Sequence, residues 1–156
     1  MRLGLALAAV VALAFGCVHD VRPYAFAVQA PPSATYVAAQ NALRQQGQVV
    51  IPESSTRLVT PWQAVGETTV VTSVRSGILE PIIIWRRYAI LVEANGAGAT
   101  VTVSQERKTC PPDAPEAIPG TPYSPCVRQF SITPDEQQTL DRLGRDLQRN
   151  FSGAAR

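Results

Sequence analysis

Arg87-Tyr88-Ala89-Ile90-Leu91-Val92-Glu93-Ala94-Asn95-Gly96-Ala97-Gly98-Ala99-Thr100-Val101-Thr102-Val103-Ser104 is the stretch that decides the fold. Asn-Gly between two β-rich runs is the strongest short-range signal of a two-residue hairpin turn. A turn centred on Asn95-Gly96 pairs Val92 with Ala99, Ile90 with Val101 and Tyr88 with Val103, so all six side chains share one face. The other face receives Leu91 with Thr100, Ala89 with Thr102 and Arg87 with Ser104, and is mostly polar. A one-residue slip would send the apolar set into water. The expectation is an antiparallel sheet with one covered face.

The cover is legible downstream. Thr133-Pro134-Asp135-Glu136 supplies an N-cap, a proline at the first helical position and a capping-box glutamate. Leu140, Leu143, Leu147 and Phe151 then recur at spacings of three and four, an apolar stripe expected to pack on the sheet; a coiled-coil partner surface is the alternative. Arg142, Arg145 and Arg149 lie toward the helix C-terminus, where the dipole favours cations.

Upstream, Pro23 to Val28 alternates large and small apolar residues and predicts a first strand. Pro31-Pro32-Ser33 predicts a turn with Ser33 as cap. A helix follows over 34–46, with Tyr36, Ala39 and Leu43 on one face and Gly47 ending it. Runs 48–51, 56–65 and 68–74 read as strands, bent or confined to edges by Pro52 and Pro61, with Trp62 anchoring the core. The order β-α-β-β-β-β-β-α predicts one α+β domain over 24–152, an antiparallel sheet of about five to six strands with two helices packed on one face.

Ile78-Leu79-Glu80-Pro81-Ile82-Ile83-Ile84-Trp85 is nearly all apolar and does not alternate, and Arg86-Arg87 follows. It reads as a strand buried on both faces, or as an exposed tongue meeting a partner or membrane through Ile83, Trp85, Arg86 and Arg87. One of the pairs Ile82/Ile84 and Ile83/Trp85 is expected to be mostly buried in the monomer and the other to form the largest exposed apolar patch unless the proline-rich disulfide loop folds over it.

At the N-terminus, Met1-Arg2 precedes an uncharged run, Leu3 to Phe15. As a helix this run reaches about 20 Å, short of the roughly 30 Å hydrocarbon layer, which suits a signal peptide (1–16) better than a membrane span. Leu13-Ala14-Phe15-Gly16-Cys17 resembles the lipobox of bacterial lipoproteins. The resemblance implies cleavage before Cys17, acylation of its thiol and a lipidated tether over 17–23. Cleavage after Ala12-Leu13-Ala14 is the alternative, and it leaves Cys17 an unpaired thiol. Val18, rather than an aspartate, favours the outer membrane, facing the periplasm, in a host with two membranes. The element order is also similar in layout to small α+β envelope lipoprotein domains such as the C component of the β-barrel assembly machinery.

With Cys17 lipidated, Cys110 and Cys126 are left as one pair in a compartment where disulfides form. The bond would close a proline-rich loop and contribute about 3 kcal/mol in the chain-entropy model; a metal pair or redox dithiol is the alternative.

The single histidine, His19, lies in the expected tether, which argues against histidine-based catalysis. Ser104 and Lys108 share a strand face but stand about 13 Å apart, too far to exchange a proton. Glu53, Glu67, Glu80 and Glu93 recur every 13 residues in unrelated contexts. No phosphate-binding glycine loop is present, and 14 basic against 12 acidic side chains without a dense basic run speak against nucleic acid. Neither a metal nor another cofactor is expected. These features predict a non-catalytic envelope lipoprotein, an accessory or scaffold subunit binding a protein partner; the alternative is a module for a lipid or cell-wall fragment. Cys17→Ser is expected to abolish palmitate labelling and release the protein from membranes, and unchanged labelling and fractionation would refute the anchor.

Overall fold

The computed structural model describes residues 19–73, 78–112 and 126–153. The signal peptide, Cys17 and the interior of the proline-rich loop lie outside them. The elements run β1 (His19–Asp20), β2 (Tyr24–Val28), α1 (Pro32–Gln45), β3 (Ile51–Pro52), β4 (Arg57–Val59), β5 (Gln63–Ser73), β6 (Ile78–Asn95), β7 (Gly98–Cys110), β8 (Val127–Gln129), β9 (Ser131–Ile132) and α2 (Pro134–Gly153). β6 and β7 form a long hairpin at the centre of a seven-stranded antiparallel sheet. β4 and β5 pair with successive parts of β6, and β2 and β8 with successive parts of β7. The fold is α+β, with both helices against the sheet half nearest the hairpin turn.

The hairpin keeps the expected faces but not the expected partners. Ile90 pairs with Val103, Val92 with Val101 and Tyr88 with Gln105, two residues away from the Asn95-Gly96-centred register. Gly96 and Ala97 occupy the turn; Gly96 has φ +60° and Ala97 does not have positive φ, the pattern of a type II′ turn. A shift of two preserves the alternation, and this one sets β-branched residues opposite each other. It also pairs Gly98 with Asn95 beneath β2, where a Cβ would lie 2.4 Å from the Val28 carbonyl oxygen.

Both helices carry legible ends. Gly47, at φ +76°, closes α1: its N–H donates to the Arg44 carbonyl (2.9 Å) and that of Gln48 to the Leu43 carbonyl (3.0 Å), a Schellman motif. The start of α1 differs from expectation. Pro31 is the cap residue and Pro32 the first helical residue, so Ser33 falls inside the helix and makes no cap. In α2, Glu136 N–H donates to Thr133 Oγ1 (3.3 Å) and Thr133 N–H to Glu136 Oε2 (2.8 Å), closing the capping box.

Leu43, Leu58, Ile90, Val101, Leu140 and Leu147 are fully buried between helices and sheet. Tyr24 lies flat on α2 at Gly144, where a Cβ would stand 2.3 Å from Cδ1 of the ring, and its hydroxyl donates to Gln148 Oε1 (2.6 Å).

Other expectations need correction. The 56–65 run breaks at Thr60-Pro61-Trp62, because Pro61 cannot continue the ladder, and the 68–74 run merges into β5. Segment 17–23 is no free tether from His19 onward: β1 pairs with β9, Val21 N–H donates to the Phe130 carbonyl, and Arg22 is bonded through its backbone to Gln137. Ile82 to Trp85 are all half-buried, so neither pair is core and neither is the most exposed. The helices stop short of this part of β6, and the largest exposed apolar side chains are elsewhere, Phe130, Val127 and Val49 foremost.

Gly144→Ala is expected to cost about 1–3 kcal/mol by overpacking against Tyr24. In a Tyr24→Ser background the same change should cost almost nothing, which a double-mutant cycle in urea will measure.

Candidate functional site

Because alternate residues of a strand point to opposite faces, β6 divides the four residues expected to form one partner surface. Ile83, Trp85 and Arg87 project to the face away from the helices, opposite Cys110, Lys108 and Glu106 of β7; Arg86 projects to the helix side. On the open face four charged side chains form a closed ring. Arg57 Nε lies 2.5 Å from Glu53 Oε2, and its Nη2 donates to Glu106 Oε1. Arg87 Nε donates to Glu106 Oε2 (2.5 Å) and its Nη2 to Glu53 Oε1 (3.2 Å). Two cations and two anions balance within the ring, which ties the β3–β4 turn, β4, β6 and β7 together.

Trp62 sits beside this ring instead of in the core. Pro61 carries the chain off the sheet edge, and the indole lies 4.7 Å from the Arg87 guanidinium carbon and 4.4 Å from Lys108 Nζ, measured to ring centroid. Such contacts hold an aromatic ring by its π-face and leave its edge available.

A cleft of about 860 Å³ opens next to Trp62. Ile51, Pro61, Trp62, Trp85, Pro111 and the Cys110–Cys126 disulfide shape its wall, with Glu53, Arg87 and Lys108 as its charged groups. The disulfide joins the end of β7 to the residue before β8 and so ties the cleft wall to the sheet. Ligand sites are commonly concave spaces of about 300–1,000 Å³ with apolar walls and a few placed polar groups.

The remaining candidates do not converge. Ser104 Oγ donates to the Ala89 carbonyl (3.4 Å), while Lys108 is over Trp62. Glu53 belongs to the ring, whereas Glu80 and Glu93 stand at opposite ends of β6, about 40 Å apart along an extended strand. Among the described residues no group of three or more Cys, His, Asp or Glu is placed to hold a metal, and no helix is long and apolar enough to cross a membrane.

Glu53, Arg57, Glu106 and Lys108 were not legible as a group. The Arg87–Glu106 pair was hidden by the turn register, since the Asn-Gly register sets Arg87 opposite Ser104. Read two residues on, the sequence places opposite charges across the hairpin.

Burial alone would raise the Glu106 carboxyl, but Arg87 and then Arg57, through hydrogen bonds and charge, hold it below its ordinary value. A depressed carboxylate stabilises the fold above its unfolded-state value, and that stability is lost as pH falls through the depressed one.

No family model matches the sequence, and no curated protein matches it. Among solved structures the chain is similar to one titled "Crystal structure of Ara h 8.0201", at 10% identity and a TM-score of 0.32, covering 88% of this chain and 99% of that one.

Glu106→Gln should flatten the acid limb of stability. The fall in melting temperature from pH 7 to pH 3 is expected to be smaller in the variant than in the wild type, and an unchanged fall would detach Glu106 from the acid response.

Proposed function

We propose that this chain is a membrane-anchored envelope lipoprotein whose domain is a non-catalytic binding subunit, contacting a protein partner through the open face of the β6–β7 hairpin. The carrying observation is the concave face itself: two tryptophans and prolines over a cleft of about 860 Å³, with a disulfide on one side and an ion-pair ring on the other. Aromatic anchors in a preorganised pocket, rimmed by charge, are what a protein interface concentrates its energy on.

The docked segment at β1 supports a subunit held close to its membrane. Two trans peptide steps, from Cys17 to His19, span at most about 7 Å, so an acylated Cys17 would keep the β1–β9 edge and the exposed Phe130 near the lipid surface. In a host with two membranes, the outer one, facing the periplasm, is the proposed site.

A second reading is favoured by the cleft volume and its tryptophans: a lipid or cell-wall fragment as occupant. It would occupy the open face and not the space beneath the helices, which is filled near the turn by the core.

A photo-crosslinking residue at Trp85, in cells, is expected to trap an envelope protein. Trp62→Ala, with the crosslinker retained, should cut that yield about tenfold while lowering the melting temperature by only a few degrees. Tryptophan fluorescence that instead responds to purified cell-wall glycopeptide or lipid, with no protein adduct, supports the second reading. If neither occurs with folded protein, the open face is not a binding surface.

A further inference from the structure

The helix side of the hairpin changes character away from the turn. Ile90↔Val103 and Val92↔Val101 give way to Tyr88↔Gln105 and then Arg86↔Arg107. Two arginines directly opposite each other on one face repel. Arg107 is compensated by Glu136, at 2.9 Å, whereas Arg86 stacks on the Tyr88 ring at 5.5 Å and has no carboxylate partner among the described residues. Buried atoms lacking a hydrogen-bond partner gather at this point: Arg86 Nε, the Tyr88 hydroxyl, both amide atoms of Gln105 and Arg107 Nε. An unpaired buried polar atom destabilises the fold; of these residues Arg86 and Tyr88 also line a cavity against α2, whereas Gln105 and Arg107 line another one, beside β8.

Beside this cluster lies a separate cavity of about 410 Å³, between α2, the chain leaving α1 and the start of β5. Gln48, Gln63, Arg86, Tyr88, Thr139 and Arg142 line it. Arg142 has no ion pair among the described residues, and Asp146, also at the cavity, is bound to Arg149. Burial pushes the Tyr88 hydroxyl above its ordinary range against the opposing charge of Arg86, with Glu136 adding to the rise, so it is protonated and able to donate near neutral pH.

The geometry points to an anion site in this cavity, one that takes the carboxylate or phosphate group of a small molecule on Arg86 and Arg142, with the amides of Gln48 and Gln63 as further donors. Guanidinium groups match planar carboxylate and phosphate oxygens with paired hydrogen bonds. A bound oxyanion supplies the negative charge that the Arg86–Arg107 pair lacks. Leu143 gives the ligand's carbon skeleton an apolar side to lie on. The site lies on the sheet face opposite the proposed partner surface and does not depend on it.

Inorganic phosphate and succinate, each titrated against the purified chain at ionic strength matched with sodium chloride, test this by calorimetry and melting temperature. At least one is expected to bind and raise the melting temperature by a few degrees where chloride alone does not. A response to phosphate alone identifies a phosphate ligand, and one to succinate alone a carboxylate. Arg142→Gln, at an exposed position, should weaken that binding at least fivefold with the anion-free melting temperature unchanged. Arg86→Gln should abolish it and raise the anion-free melting temperature by relieving repulsion. No anion response in the wild type, or an equal response in both variants, overturns the site.

Discussion

The β6–β7 hairpin is longer than the helices available to cover it. At about 3.3 Å per residue, the 18 residues of β6 extend nearly 60 Å, whereas the 20 residues of α2, at about 1.5 Å each, reach about 30 Å and the 14 of α1 less. Two helices laid on one face therefore cover half of the hairpin. The apolar core forms under that half, from Ile90 and Val92 across to Val101, Val103, Leu140 and Leu147, and everything distinctive about the molecule lies beyond it.

The uncovered half is held by other means. β5 pairs with it along one edge and β8 along the other, the disulfide joins the end of β7 to β8, and the Glu53–Arg57–Arg87–Glu106 ring spans the open face. Isolated exposed ion pairs contribute about 0–1 kcal/mol each. This ring differs in that each guanidinium meets two carboxylates, and Arg87 and Glu106 retain only 14% and 24% of their side-chain exposure. Among the described residues no helix covers it. Ile83 and Trp85 are half-buried there, and Trp85, with Trp62 and the disulfide, lines a cleft on the open face.

On the helix side, the boundary between core and uncovered hairpin falls at Tyr88. Leu143 and Thr139 of α2 approach it, Arg107 reaches Glu136, and Arg86 faces Arg107 without a carboxylate partner among the described residues. A sequence selected for packing alone would place smaller or apolar residues there. Like charges directly opposite each other on one sheet face are destabilising, and only Arg107 has its carboxylate partner, Glu136, among the described residues.

The sequence by itself determined the elements whose signals are local. The Thr133–Glu136 capping box, the Gly47 helix end, the 3.6-residue stripe of α2 and the two-residue alternation of Tyr88 to Val92 each arise from interactions within a few residues, and each is legible without the fold. The Cys110–Cys126 bond followed from parity on the expectation that Cys17 carries a lipid. Tertiary structure decided what required a distant partner. The hairpin register moved by two residues because either register satisfies the alternation, and only strand-to-strand packing distinguishes them; that shift created the Arg87–Glu106 pair. Trp62 left the core because Pro61 interrupted the ladder between β4 and β5, where the indole met two cations from β6 and β7. Segment 19–22 became part of the domain because β9, more than 100 residues away, offered its backbone. Periodicity reports which face a side chain takes, but not which residue waits there, since every even shift of register leaves the periodicity the same.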